Sequence, residues 1–363
     1  MSLFYNVQGN IKMKKRTVKL SLLPLLFALP VFVAQADNDG VSKEELQKQL
    51  DAIQQRLAAL EVDGETSSAA SNTSINFYGS LRPTFGVTRT DSDDVWDVGD
   101  ALSRLGFYSE SKVNNSLVAF ARGEFKVNIQ TNGDFGEARK AYVGIKGDFG
   151  RVAIGKQSST QYRMIGDPVD IFNRAATPLA YDSVSPFRIN NLVTYRKNVG
   201  DLSFAVDAQF DGSRSDNASD FFNTGLEYNS DFIRAAFAYY SKELNDGNNE
   251  KTYGASLAKS FGPLYVAAAY QDVEANDIEG STLDVVAAYA ITEIYKLKVG
   301  ISAFDDGLSD LVSRDYTAYN TTLEWQGTAD FRLFVEYQKT AFDYREDNDQ
   351  LMVGMRYDFD YGF

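Results

Sequence analysis

From Ile75 to Phe363 hydrophobic side chains return at every second position, and nowhere in that span is there an apolar run long enough for a membrane helix. Leu202, Phe204, Val206, Ala208 and Phe210 alternate with Ser203, Ala205, Asp207 and Gln209. The same beat runs through Phe77, Leu81, Phe85 and Val87, through Leu297, Val299, Ile301 and Ala303, and through Phe331, Leu333, Val335 and Tyr337. A strand sends successive side chains to opposite faces, so each segment has one greasy face and one wet face. Two architectures accommodate that pattern: a soluble sandwich with the greasy face inside, or a closed transmembrane barrel with the greasy face outside. Composition leans the same way, with 21 Tyr, 25 Phe and 27 Gly against 7 Pro. The chain has no Cys and no His, which closes off disulfides, thiolate zinc sites, imidazole bases and Ser-His-Asp triads. No enzyme, cofactor or metal site is expected.

The N-terminus carries an export pattern. Lys12, Lys14, Lys15, Arg16 and Lys19 precede an apolar run from Leu20 to Val33 that ends in Ala34-Gln35-Ala36. The basic start, short apolar core and small-residue site predict a signal peptide over 1–36, with Met13 as the natural start. Removing these five cations makes the rest still more negative than the −14 of the whole chain, which argues against a nucleic-acid partner. Residues 37–64 have a helical period: Leu46, Leu50, Ile53, Leu57 and Leu60 recur at 4, 3, 4 and 3. This predicts a periplasmic coiled-coil helix, either a stalk between chains or a lone amphipathic helix packed on its own domain. The polar stretch 65–74 reads as a linker, leaving 75–363 as the barrel candidate.

Three features favour the membrane barrel. The segments number about sixteen, and about 18 residues per strand and connection leave about ten for each tilted crossing, as a bilayer requires. Short turns such as Asp148-Phe149-Gly150 and Val199-Gly200-Asp201 alternate with longer polar loops, for which we take Thr90–Asp100, Asp211–Asp220, Asn245–Glu250, Val273–Gly280, Asp305–Asp315 and Asp343–Asp349. Finally, Leu351, Val353, Met355, Tyr357, Phe359, Tyr361 and Phe363 form one apolar stripe on the last segment. The expected fold is all-β: a 16-stranded antiparallel transmembrane β-barrel preceded by a short helix.

Local motifs resemble those of the general trimeric porins of the Gram-negative outer membrane. They are Ser103-Arg104-Leu105-Gly106-Phe107, the run from Glu137 to Gly147, the run from Phe149 to Gln157, and Arg188-Ile189-Asn190-Asn191-Leu192-Val193-Thr194-Tyr195-Arg196. Together they cover about a third of the barrel, in the family's order; Leu192 stands where the family often has Ser. The resemblance implies a third loop, between Gln157 and Arg188, folded into the barrel as a pore constriction. It also implies a basic wall of Arg82, Arg104, Arg122, Arg139 and Arg196 facing Glu124, Asp167, Asp170 and Asp182. Arg163 and Arg174 lie in the same loop. The family's Pro-Glu-Phe-Gly-Gly run is absent, so Asp167 and Asp170 are the preferred lumen acids. At strand four, alternation points Lys140 inward and Ala141 to lipid, whereas the family match points Arg139 inward with small residues such as Ala141 under the loop.

The resemblance implies a homotrimer in the cell outer membrane, reached through the periplasm and in contact with lipid and lipopolysaccharide. Its terminal residues Tyr357, Phe359, Tyr361 and Phe363 would be read by the barrel-assembly machinery. The implied function is passive diffusion of small hydrophilic solutes, with the basic wall favouring anions or zwitterions. A substrate-specific channel, for example for dicarboxylates, and a closed structural or adhesin barrel stay open as alternatives. Loop acids such as Asp91, Asp93, Asp94, Asp97 and Asp100 serve solubility or bridge divalent cations to lipopolysaccharide.

Overall fold

In a computed structural model the described residues are 73–130, 133, 135–173, 179–184, 186–210, 220–244, 247–308 and 313–363. The signal peptide, the linker up to Asn72, the coiled-coil positions Leu46, Leu50, Ile53, Leu57 and Leu60, and Arg174 lie outside them.

The strands close into one antiparallel barrel. β1 runs Thr73–Leu81 and resumes as Pro83–Arg89; β2 runs Asp94–Asp100 and resumes as Arg104–Asn114. Then follow β3 (Leu117–Val127), β4 (Phe135–Gly147), β5 (Gly150–Ser158), β6 (Arg188–Val199), β7 (Leu202–Gln209) and β8 (Phe221–Asn229). The second half comprises β9 (Arg234–Glu243), β10 (Asn249–Phe261), β11 (Leu264–Ala275), β12 (Ile278–Ala290), β13 (Tyr295–Asp305), β14 (Tyr316–Gln326), β15 (Phe331–Phe342) and β16 (Asn348–Gly362). Each strand pairs with its neighbours in sequence, and β16 closes on β1 through pairs such as Phe77 with Tyr361 and Val353 with Phe85. Closure satisfies the backbone without leaving an edge, the condition for crossing hydrocarbon with strands.

The interruptions in β1 and β2 face each other. Pro83 has no N–H to give the ladder, and at the break the Arg82 carbonyl accepts from Ala101 N (2.9 Å) while the Arg82 N–H donates to Ser103 Oγ (2.8 Å). The paired kink leaves the Arg82 side chain buried, with Nε donating to Ser80 Oγ at 2.7 Å.

Parity is as expected along most strands. On β15 Leu333, Val335 and Tyr337 are exposed while Arg332, Glu336 and Gln338 are buried inside. On β16 Leu351, Val353, Met355, Tyr357, Tyr361 and the following Phe363 are exposed, and Phe359 stacks on Tyr361 with centroids 6.1 Å apart. An outer belt this apolar is a liability in water and a match for lipid chains.

Two connections read from sequence as long loops are not. Asp94–Asp100 is strand, paired with Pro83–Arg89, so the first loop is only 90–93. Its acids masked the strand signal; Asp97 accepts from Gln130 Nε2 and Asp100 from Ser103 N, while Trp96 stacks on Phe85 at 5.5 Å. Val273–Gly280 is a tight hairpin, in which Asn276 and Asp277 both take positive φ (+52° and +63°). That is the geometry of a type I′ turn, and Asn and Asp tolerate it better than most side chains do.

The apolar core belongs to the loop between β5 and β6. This loop enters the barrel with a wide helical turn at Tyr162–Gly166 and leaves through a short helix, α1 (Ala180–Val184). Met164, Ile165, Val169, Ile171, Phe172, Leu179 and Tyr181 pack on a wall of inward-facing small residues, including Ala205, Ala236, Ala238, Ala258, Ala267 and Ala269 on β7–β11. A Cβ on Gly254 would meet Gln161 at 2.5 Å and Ile165 at 2.9 Å, and one on Gly300 would meet Phe172 at 2.7 Å. Small residues on this wall therefore create the recess that the loop fills. Ala141, expected beneath the loop, is exposed on the outer face instead.

Candidate pore constriction

Wall residues satisfy the polar backbone of the inserted loop. Thr160 N donates to Asp207 Oδ2 at 2.5 Å on β7, and Gln161 N to Asn223 Oδ1 at 2.6 Å on β8. Gln161 Nε2 donates to Gln271 Oε1 on β11 at 2.8 Å. Ser256 on β10 and Tyr265 on β11 donate to the Met164 and Pro168 carbonyls at 2.6 and 2.7 Å. At the far end, Asp284 on β12 accepts the Ala180 and Tyr181 N–H groups, both at 2.9 Å. Asn173 donates to Glu336 and Glu324, each at 3.1 Å, and Glu324 also accepts from Lys298 at 3.0 Å. Unpaired, these buried groups would each carry a desolvation penalty, so the anchors hold the loop where it is.

Between loop and wall lies a cavity of about 1040 Å³, lined mainly by β1–β6 on one side and the loop on the other. Arg82, Arg104, Arg122, Arg139 and Arg196 all line it, together with Glu124, Asp167 and Asp170. Asp182 does not; it sits on α1, which packs through Ala180 against Phe304, Tyr316 and Ala318. Glu124 is inside the basic wall rather than opposite it. Its carboxylate accepts from Arg139 Nε (2.9 Å), Lys140 Nζ (3.4 Å) and Tyr78 Oη (3.0 Å), and Tyr78 Oη in turn accepts from Arg122 Nε (2.8 Å).

A β-bulge resolves the conflict at strand four. Glu124 pairs with Lys140 and Phe125 with Ala138, so Arg139 is the extra residue and both cations face the lumen. Alternation and the family motif each identified one of the two. Sequence reasoning left out of the wall Lys140, Arg151, Arg163, Arg188, Lys197 and Arg356, which also line the cavity. Arg356 could have been found, since it alternates with the outward stripe of β16. Arg163 could not, because loop residues carry no parity. Among the described residues, the Arg104, Arg151 and Arg163 side chains have no carboxylate within ion-pairing distance. Arg151 instead lies 4.3 Å over the Phe120 ring. The two loop acids are engaged: Asp167 with Arg234 (3.4 Å) and Asp170 with the Tyr162 hydroxyl (2.9 Å).

A closed sixteen-stranded barrel with an inserted loop and a polar lumen defines an outer-membrane porin fold. The chain matches the Gram-negative porin family over residues 57–362 and belongs to it; its location is the outer membrane. It is 26% identical over 234 residues to the putative outer membrane porin protein NmpC of Escherichia coli, covering 55% of this chain and 63% of that one. It is 27% identical over 185 residues to outer membrane protein U of Vibrio vulnificus, covering 47% and 53%. The chain thus spans less than two thirds of the length of these curated relatives. In fold it is similar to Salmonella typhi OmpF in complex with daunomycin (TM-score 0.68, 18% identity, 80% of this chain and 98% of that one). It is also similar to an anion-selective porin from Comamonas acidovorans (TM-score 0.66, 17% identity, 79% and 100%).

Proposed function

We propose that this protein is a water-filled diffusion channel for small hydrophilic solutes, that it is not an enzyme, and that it passes anions in preference to cations. The observation that carries the reading is the charge of the cavity: among the described residues that line it, eleven are Arg or Lys and four are Asp or Glu. That balance is the reverse of the −14 of the whole chain. Lumen charges closer together than the screening length, about 8 Å at physiological salt, act on a passing ion as one positive field. Glu124 is spent within the basic wall and Asp167 on Arg234, which weakens the negative pole of any transverse field. The anion-selective fold relative supports the same reading.

The assembly that goes with it is a homotrimer, with Leu46, Leu50, Ile53, Leu57 and Leu60 as the seam of a three-chain periplasmic stalk. Tyr357, Phe359, Tyr361 and Phe363 serve recognition by the assembly machinery. The test is the reversal potential of the purified full chain in planar bilayers under a tenfold KCl gradient. A perfectly selective pore reaches about 59 mV. The expected sign is that of chloride, and zero or the potassium sign overturns the anion preference.

A further inference from the structure

We propose that the constriction favours anions that carry an aromatic ring, with benzoate-like monocarboxylates as the substrate class; this rests on the channel reading above. The two acids on the loop side of the cavity, Asp167 and Asp170, are engaged by Arg234 and Tyr162. That side presents half-buried Tyr162 and Phe187, stacked with centroids 3.9 Å apart and planes inclined by 29°. Fully buried Tyr181 packs behind both rings, 6.2 Å from Tyr162 and 5.8 Å from Phe187, and the Tyr162 hydroxyl is tied to Asp170. The pair is therefore held in place rather than free to turn.

The Arg188 guanidinium completes the column, 4.8 Å from the Phe187 centroid. Its Nε is buried with no hydrogen-bond partner, and no carboxylate pairs with it among the described residues. Arg104 and Arg139 repel it and Glu124 attracts it. Among the described residues Glu124 is the one carboxylate that Arg139 and Lys140 engage, so the cluster keeps an excess of positive charge beside an aromatic surface and has two complementary needs, a negative charge and a flat apolar face. An aromatic carboxylate supplies both, placing its carboxylate among Arg188, Arg104 and Arg139 and its ring against Tyr162 and Phe187. Chloride and phosphate satisfy only the charge, and an aliphatic carboxylate lacks the stacking face.

The test is block of single-channel chloride current by benzoate, by cyclohexanecarboxylate of similar size, by acetate and by inorganic phosphate. Benzoate is expected to half-block at about 2- to 10-fold lower concentration than cyclohexanecarboxylate, the range set by aromatic pairing beyond area burial. In Phe187→Leu that ratio is expected to fall toward one. Equal block by the two ring acids in the wild-type channel, or stronger block by phosphate than by benzoate, overturns the proposal. So does a benzoate preference that survives Phe187→Leu. The wild-type ratio decides even if the variant fails to fold. A channel that proves cation-selective in KCl refutes the underlying reading instead, so the two failures are distinguishable.

Discussion

Asp284→Ala should loosen the constriction without loosening the barrel. The carboxylate accepts the Ala180 and Tyr181 N–H groups at 2.9 Å each and Ser302 Oγ at 2.6 Å, all buried. Alanine leaves two backbone donors of the inserted loop unsatisfied, at about 1–3 kcal/mol each, or about 2–6 kcal/mol in all. At about 1.4 kcal/mol per tenfold, even about 3 kcal/mol raises the population with α1 undocked more than a hundredfold. No ladder hydrogen bond is lost, so the temperature at which the barrel unfolds in detergent gels should move little. Single-channel recording should show higher mean conductance and more open-state noise, and liposome swelling should admit larger sugars. Asp284→Asn keeps one carbonyl acceptor and should lie between alanine and wild type. Unchanged conductance, noise and size limit in Asp284→Ala would refute the view that this carboxylate holds the loop in the pore.

Arg139→Ser should lower the chloride preference in the reversal potential and leave Lys140 as the cation nearest Glu124, so that the double change with Lys140→Ser lowers it further. Gly254→Val should be worse than a typical wall substitution, because its side chain needs the space taken by Gln161 and Ile165; a reduced yield of folded barrel, or a folded barrel with raised conductance, is the expected readout. Burial pushes the Asp167 carboxyl up from the usual aspartate range, with Arg234 opposing. Lowering the pH toward that raised value removes a negative charge from the lumen, so anion preference should rise as pH falls, starting above the ordinary value of about 3.9. The corresponding part of the pH profile should be absent in Asp167→Asn.

The two-faced strands are legible in the sequence because parity is a local property: one residue's distance from the next decides its face, whatever the rest of the molecule does. The same property placed Arg122 and Glu124 inside and the stripe of β16 outside, whereas Arg104 and Arg196 were placed by the family resemblance. Parity failed where an extra residue or an unusual backbone shifts the count. Two inward cations at 139 and 140 need the bulge opposite Glu124, and the strand Asp94–Asp100 looks like an acidic loop until its pairing with Pro83–Arg89 is seen. Asn276 and Asp277 are turn-forming residues, but the polar stretch around them has the length of a loop until the hairpin pairing is seen.

What the sequence alone determined, then, is the repeating two-faced strand and, through segment length, the alternation of short turns with longer loops and the terminal apolar stripe, the choice of lipid outside and water inside. Only the tertiary structure decided where the inserted loop lies and which charges survive unpaired beside it. The alanines and glycines of β7–β13 look unremarkable one strand at a time, and they become a recess only when their strands stand side by side in register. Glu124 likewise reads as a lumen acid until Arg139 and Lys140 from β4 and Tyr78 from β1 arrive to occupy it. Pairing between residues distant in sequence is set by closure of the barrel, and no local pattern encodes that distance.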